Sequence, residues 1–374
     1  MKKRLIALAA LALVSGLAAA QSAVTVYGNV DLGVLTQNHA PAGTASTTLA
    51  NGGISPSIWG FRGSEDLGDG LKANFNLEGH FHADTGVSPG GPLSNVGALF
   101  RRQANVGLSS ANFGTVTLGN QYSPAILAFA ATDPRGLREN FSGLYSWAFN
   151  SGAISKNAAG GVVVPAGNNT NNDVGVFLQN AISYSNTVGP VGIAAAYSLS
   201  EGTGNVANTG NHGAVYSLGL TYSGPVSLSA AYQQTNKPDT SDSLSRIYTV
   251  GAGYTMGAFT GKLNYLRGVN KDITTLAETA KVGVIGAGVD WKTASNNTVG
   301  AAVYFGKDKD HTDDKTTTLI LSDEYALSKR TTLYGTLAFA DAKAGSTPFT
   351  SVILTPTTAG EKTTLLNVGI KHSF

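Results

Sequence analysis

The chain has 374 residues, 47 of them glycine, with no cysteine and only 13% charged residues. The lack of cysteine excludes disulfides and thiolate metal sites. A formal net charge of +2 gives no electrostatic reason to expect a nucleic-acid partner. Met1-Lys-Lys-Arg4 is a positive leader, Leu5 to Leu17 is apolar, and Ala18-Ala-Ala20 offers a small-residue cleavage site. That is the pattern of a secretory signal peptide over residues 1–20, with 21–374 as the mature barrel domain. No later stretch has the unbroken apolar length of a membrane helix, so a closed β-barrel is the architecture by which this chain would cross a bilayer.

Ala23 to Val34 reads as the first strand, and a Gly/Thr/Ser/Pro loop from about Thr36 to Gly53 follows. Ser57 to Asp84 is a hairpin. One arm sets Trp59 and Phe61 on one face and Ile58, Gly60 and Arg62 on the other. The second arm alternates Leu71, Ala73, Phe75, Leu77, Gly79 and Phe81 with Lys72, Asn74, Asn76, Glu78, His80 and His82. Period 2 of that kind means a strand with one apolar and one polar face. Leu99–Ser109 and Thr115–Tyr122 repeat the pattern.

The rhythm then stops from Ser123 to about Val176, the longest connection in the chain. A loop of that length in a compact fold is usually functional. It carries Ile126, Leu127, Phe129, Leu137, Phe141, Leu144, Tyr145, Trp147 and Phe149, too many apolar groups for a segment left in water, so it should fold inward.

Alternation resumes near Phe177 and holds to Phe374, for sixteen strands in all. Seven connections are short (Glu65–Gly70, Ala111–Gly114, Val188–Pro190, Gly224–Pro225, Gly257–Ala258, Thr293–Asn297, Ser328–Arg330) and the rest long and polar. An even strand number with short turns on one side and long loops on the other is the pattern of an outer-membrane barrel. The expected fold is therefore all-β, a sixteen-stranded antiparallel transmembrane β-barrel. Tyr197, Tyr216, Tyr222, Tyr232, Tyr254, Trp291 and Phe374 fall near strand ends on apolar faces, where interfacial aromatic girdles are expected.

Several segments resemble the Gram-negative general porins, most closely the β-proteobacterial and neisserial type. They are Val24-Thr-Val-Tyr-Gly28; Trp59-Gly-Phe-Arg-Gly-Ser-Glu-Asp-Leu-Gly68 with Leu71-Lys-Ala73; Arg102-Gln-Ala104 continuing to Val106-Gly-Leu108; Phe113-Gly-Thr-Val-Thr-Leu-Gly119; Tyr325-Ala-Leu-Ser-Lys-Arg-Thr331; and Val368-Gly-Ile-Lys-His-Ser-Phe374. The resemblance implies a water-filled homotrimeric channel of the outer membrane for ions and small hydrophilic solutes. The third loop would fold into the pore as a constriction. The implied partners are the lipid bilayer with lipopolysaccharide and the outer-membrane insertion machinery, which reads a terminal aromatic such as Phe374.

In such channels acidic loop residues face basic wall residues, and the transverse field sorts ions. Here the loop offers Asp133, Arg135, Arg138 and Glu139. Alternation turns Arg62, Lys72 and Glu78 inward, and Arg102 matches a wall arginine of the family. The expectation is that Asp133 and Glu139 face Arg62 and Arg102 across the gap. Ile58 and Ser183 stand where the family carries arginine, which leaves the ion preference open.

His80, His82 and Asp84 share a face at spacing 2, so they are either a metal cluster or a wet lumen wall. No cofactor is expected, and no hydrolase or nucleotide-binding motif is present. The passive channel is the leading reading, against a barrel that works as a hydrolase or a surface adhesin.

Overall fold

The computed structural model describes residues 23–40, 44–88, 99–138, 141–143, 175–199, 213–237, 240–272, 274–310, 312–346 and 359–374. Within them lie β1 (Ala23–Gln37), β2 (Ser46–Asn51), β3 (Ile58–Gly68), β4 (Leu71–His80), β5 (Gln103–Ser110), β6 (Gly114–Tyr122) and a helix, α1 (Pro124–Thr132). After the helix come β7 (Phe177–Val188), β8 (Val191–Ser198), β9 (Val215–Ser223), β10 (Val226–Asn236), β11 (Ser243–Met256) and β12 (Phe259–Lys271). The chain ends with β13 (Glu278–Ala294), β14 (Asn297–Asp308), β15 (Lys315–Ala326), β16 (Thr331–Ala342) and β17 (Lys362–Ser373). All neighbours pair antiparallel in one sheet, and β1 pairs with β17 to close it.

The seventeenth strand does not add a stave to the sixteen read from the sequence. β1 pairs with β2 over Leu32–Gln37 and with β3 over Ala23–Asn29, so β2 and β3 are two halves of one broken stave. The break, Gly52–Ser57, is held by Asp31, which is fully buried. Its carboxylate accepts from Ile54 N–H at 3.0 Å, Ser55 N–H at 2.8 Å and the Tyr334 hydroxyl at 2.6 Å. Asn29 donates to the Pro56 carbonyl at 2.7 Å. These contacts satisfy backbone groups that a continuous ladder would otherwise have paired.

The short turns demand little of the chain beyond the right residues. Asp69 and Gly70 both have positive φ (51° and 74°), the geometry of the tight Asp-Gly hairpin. At the seam the last residue joins the ladder: Phe374 N–H donates to the Gly28 carbonyl at 3.0 Å and Gly28 N–H to the Phe374 carbonyl at 3.3 Å. A Cβ on Gly28 would run into the Phe374 ring, so this glycine makes room for the terminal aromatic.

Alternation sorts the faces. Leu263, Tyr265, Ile285, Phe305, Leu319, Leu321 and Phe339 are exposed on the outer surface. Asn264, Thr318, Ser322, Thr336 and Asn367 are buried on the inner face. No described helix is long and apolar enough to cross a membrane. The outer face is instead a continuous apolar surface of the kind a lipid-spanning barrel presents. The inner face is not uniformly polar. Leu266, Val282, Val284, Ile320 and Leu365 point inward and form one buried cluster with Ile126 and Phe129 of α1. Part of the barrel interior is therefore packed solid.

Candidate functional site

The segment after β6 builds the site. Ser123 Oγ accepts from Ile126 N–H at 3.1 Å, and Pro124 sits in the first turn, where its missing donor costs nothing. The helix these residues start lies on the inner wall. Ala125 N–H donates to Ser217 Oγ at 3.0 Å. The Thr132 hydroxyl lies 2.6 Å from Ser229 Oγ and accepts from Asn264 Nδ2 at 2.6 Å. Two wall glycines allow the approach, since a Cβ on Gly219 would meet the Pro124 carbonyl and one on Gly251 would meet Thr132. The described part of the long loop thus lies inside the barrel. Leu144, Tyr145, Trp147 and Phe149, counted in the inward-folding expectation, lie outside the described residues.

Asp133 ends the helix and is fully buried, so it does not stand across a gap from Arg62 and Arg102. Its carboxylate accepts from Leu137 N–H at 2.7 Å and from the hydroxyls of Ser142 and Tyr304, each at 3.2 Å. The physical reason is local. Gly136 and Leu137 turn back with positive φ (58° and 54°), and the turn needs an acceptor for its free N–H. Burial pushes the Asp133 carboxyl above the usual carboxylate range, while the Leu137 and Ser142 bonds, the Lys262 charge and the Tyr304 bond pull the other way. Asp133 therefore acts as an anchor of the loop on β14.

The two loop arginines reach an acid that the sequence reading did not single out. Arg138 forks onto Glu324 of β15 through Nε and Nη2, each at 2.9 Å. Arg135 Nη1 donates to Ser322 Oγ at 2.6 Å, and its Nη2 lies 3.8 Å from Glu324 Oε1. At this contact two loop arginines meet a wall acid, an arrangement the expected pairing of Asp133 and Glu139 with wall arginines did not include. Lys262 adds a contact to the Asp133 carbonyl at 3.4 Å. One signal for Glu324 was available: Thr316, Thr318, Ile320, Ser322 and Glu324 fall on one parity of a single strand.

On β3–β6 the structure pairs what was expected to stand free. Arg102 Nε lies 2.7 Å from Glu78 Oε1, both buried, and Glu78 Oε2 accepts from the Tyr27 hydroxyl at 2.9 Å. Arg102 also donates to the Tyr122 hydroxyl and sits 5.0 Å from the Phe177 ring centroid. Arg62 is exposed, 4.9 Å above the Tyr27 ring. Lys72 is the second residue of β4, beside the Asp69–Gly70 turn, so it stands at the short-turn mouth. Glu139 lies outside the described residues. His80 and His82 have ring centroids 6.1 Å apart, and Asp84 accepts from Asn51 Nδ2 at 2.6 Å. No group of three metal-ligating side chains forms among the described residues.

The inner side carries both signs. Arg62, Arg102, Arg135, Arg138, Lys262 and Lys371 reach it, with Arg102 and Arg135 buried, and so do Glu78, Asp290 and Glu324 and the buried Asp31, Asp133 and Asp308.

Residues 7–345 match the family model described as Gram-negative porin. The outer membrane porin protein 32 of Delftia acidovorans is 34% identical over 395 residues, all of both chains. An outer membrane porin protein of Bordetella pertussis is 29% identical over 426 residues, again all of both. Among solved structures, the anion-selective porin from Comamonas acidovorans superposes with a TM-score of 0.77 at 28% identity, covering 95% of this chain and 100% of that one.

Proposed function

The chain belongs to the Gram-negative porin family, and from that premise we propose how its lumen selects what passes. The protein is an integral outer-membrane porin, a passive water-filled channel for ions and small hydrophilic solutes. Its selectivity rests on the charges left over in the lumen. Arg135 and Arg138 meet Glu324 with Asp290 close by, so the docked loop is near balance at that contact, and the remaining positive charge is that of Arg62, Lys262 and Lys371 on the wall. The channel prefers anions. A solved relative that is 28% identical is described as anion-selective, in keeping with this reading. In a planar bilayer with a salt gradient, the reversal potential should carry the sign of anion preference and shrink toward zero as salt screens the charges. A reversal potential of cation sign overturns it.

The same proposal covers biogenesis. Residues 1–20 are the export signal, and the mature chain assembles as a homotrimer, which conductance steps in groups of three would report. Phe374 is the assembly signal read at insertion, and it also completes the seam with Gly28. Deleting Phe374 should leave export intact and lower the heat-modifiable folded species severalfold. Undiminished folded barrel in the membrane counts against it.

A further inference from the structure

Consecutive residues of the docked loop sit on glycines of consecutive strands. A Cβ on Gly288 of β13 would stand 2.8 Å from Pro134 Cβ. A Cβ on Gly300 of β14 would stand 3.1 Å from Arg135 Nη1, 2.7 Å from Asp290 Oδ1 and 2.9 Å from Ser322 Oγ. The ladder explains the crowding at Gly300. This residue pairs with Asp290 on one side and with Ser322 on the other, so the three form one row across β13, β14 and β15. The Arg135 guanidinium lies over the middle of that row. Gly300 does not take a positive φ, so the backbone there does not call for glycine, and the space does.

The seat hides a charge. Arg135 is 5% exposed, whereas Asp290 in the same row is only half-buried. Of the guanidinium nitrogens, Nη1 donates to Ser322 Oγ at 2.6 Å, while Nε and Nη2 find no hydrogen-bond partner among the described residues. A buried cation with two unpaired nitrogens is better solvated in the wet lumen than where it stands. The fit over Gly300 and the nearby carboxylates of Asp290 and Glu324 hold it in place.

We propose that Gly300 is a specificity-determining residue of the channel: by leaving room for the Arg135 guanidinium between Asp290 and Ser322, it withdraws that charge from the ion path. Gly300 is a positioning residue that acts through Arg135 and touches no solute. The three atoms nearest a methyl group at this position are all side-chain ends, which yield more easily than backbone. The wall and its ladder therefore stay as they are, and the guanidinium turns out into the water. Asp290 is already partly exposed and gains little, so the net change is one more cation beside the passage. This role of Gly300 presupposes the anion-preferring lumen, and two readings separate them. The sign of the wild-type reversal potential decides the preference, and the shift relative to wild type decides the role of Gly300.

Gly300→Ala should raise the anion-to-cation permeability ratio about threefold at low salt and hardly at 1 M. In an Arg135→Ala background the same substitution should change nothing, because no guanidinium remains to displace. Ser322→Ala removes the acceptor of Nη1 without adding volume, so it should shift the ratio in the same direction by a smaller factor. Gly335→Ala, where a Cβ meets nothing within 4 Å, should leave the ratio at its wild-type value. The heat-modifiable band checks that each barrel is folded. A folded Gly300→Ala channel whose ratio is unchanged, or moves toward cations, overturns the proposal. So does a shift that survives in the Arg135→Ala background, because it would then come from Asp290 or Ser322. If Gly300→Ala does not fold, Ser322→Ala carries the decision, and an unchanged ratio there overturns the proposal equally.

Discussion

Glu324→Gln should make the channel markedly more anion-selective than the wild type. Glu324 supplies one negative charge shared by two guanidiniums, through the fork from Arg138 and the longer contact to Arg135. Glutamine keeps the shape and one acceptor but removes the charge, so both arginines act on passing ions. For an ion about 8 Å away at an effective dielectric of about 40, one unit charge is worth about 1 kcal/mol, or about fivefold in local concentration. The permeability ratio from the reversal potential should shift by about that factor at low salt and much less at 1 M, where the Debye length is about 3 Å. The converse change, Arg135→Ala with Arg138→Ala, should move the ratio toward cations, because Glu324 and Asp290 are then uncovered. If Glu324→Gln leaves the ratio where it was, the ions do not pass this pair and the selectivity must be placed elsewhere in the lumen.

Asp133→Ala combined with Tyr304→Phe should release the loop and open the pore. Asp133 joins Leu137, Ser142 and Tyr304, and Tyr304 accepts from Arg135 N–H at 3.1 Å, so the pair removes most polar contacts of the turn at once. The freed element includes a helix, about 10 Å across with its side chains, so single-channel conductance should roughly double and become noisier. Unaltered conductance would show that the apolar cluster around Phe129 holds the loop without the turn. The anchor is also pH-sensitive, with a sign set by its raised carboxyl. The docked segment binds a proton more readily than a free one, so docking is tightest in acid and weakens as pH rises through the raised value. Wild-type conductance should therefore fall on acidification, and Asp133→Asn should flatten the change.

The staves were legible because side-chain parity is local information. Tyr265, Ile285 and Phe305 announce their outward face within one strand each, without reference to any partner. β2 escaped because Ser46-Thr-Thr-Leu-Ala-Asn51 has no clear alternation, and the break that joins it to β3 is held by Asp31 of another strand. The inward position of the loop could be read from its apolar content, but the polarity of the constriction could not. Arg138 finds its partner 186 residues away and Arg102 finds Glu78 across a hairpin, so which charges remain unpaired is decided by tertiary register. Asp133 illustrates the same point from the other side. A carboxylate in a loop reads as a lumen charge until the positive φ of Gly136 and Leu137 shows a turn that needs it as an acceptor.

The pairing of Phe374 with Gly28 brings the first and last strands together at the short-turn mouth, so with residues 1–20 removed as proposed the barrel would be a ring cut there. The cut takes the place of an eighth hairpin. Joining the ends through a few residues and opening the ring at an external loop, such as residues 272–277, leaves every ladder pair available. A circular permutant of that kind should conduct like the parent once folded in vitro. In the cell it would end on a residue other than the seam aromatic. On the proposed role of Phe374 the position of the cut should be neutral for the finished pore and matter for its delivery, and the permutant separates those two demands in one molecule.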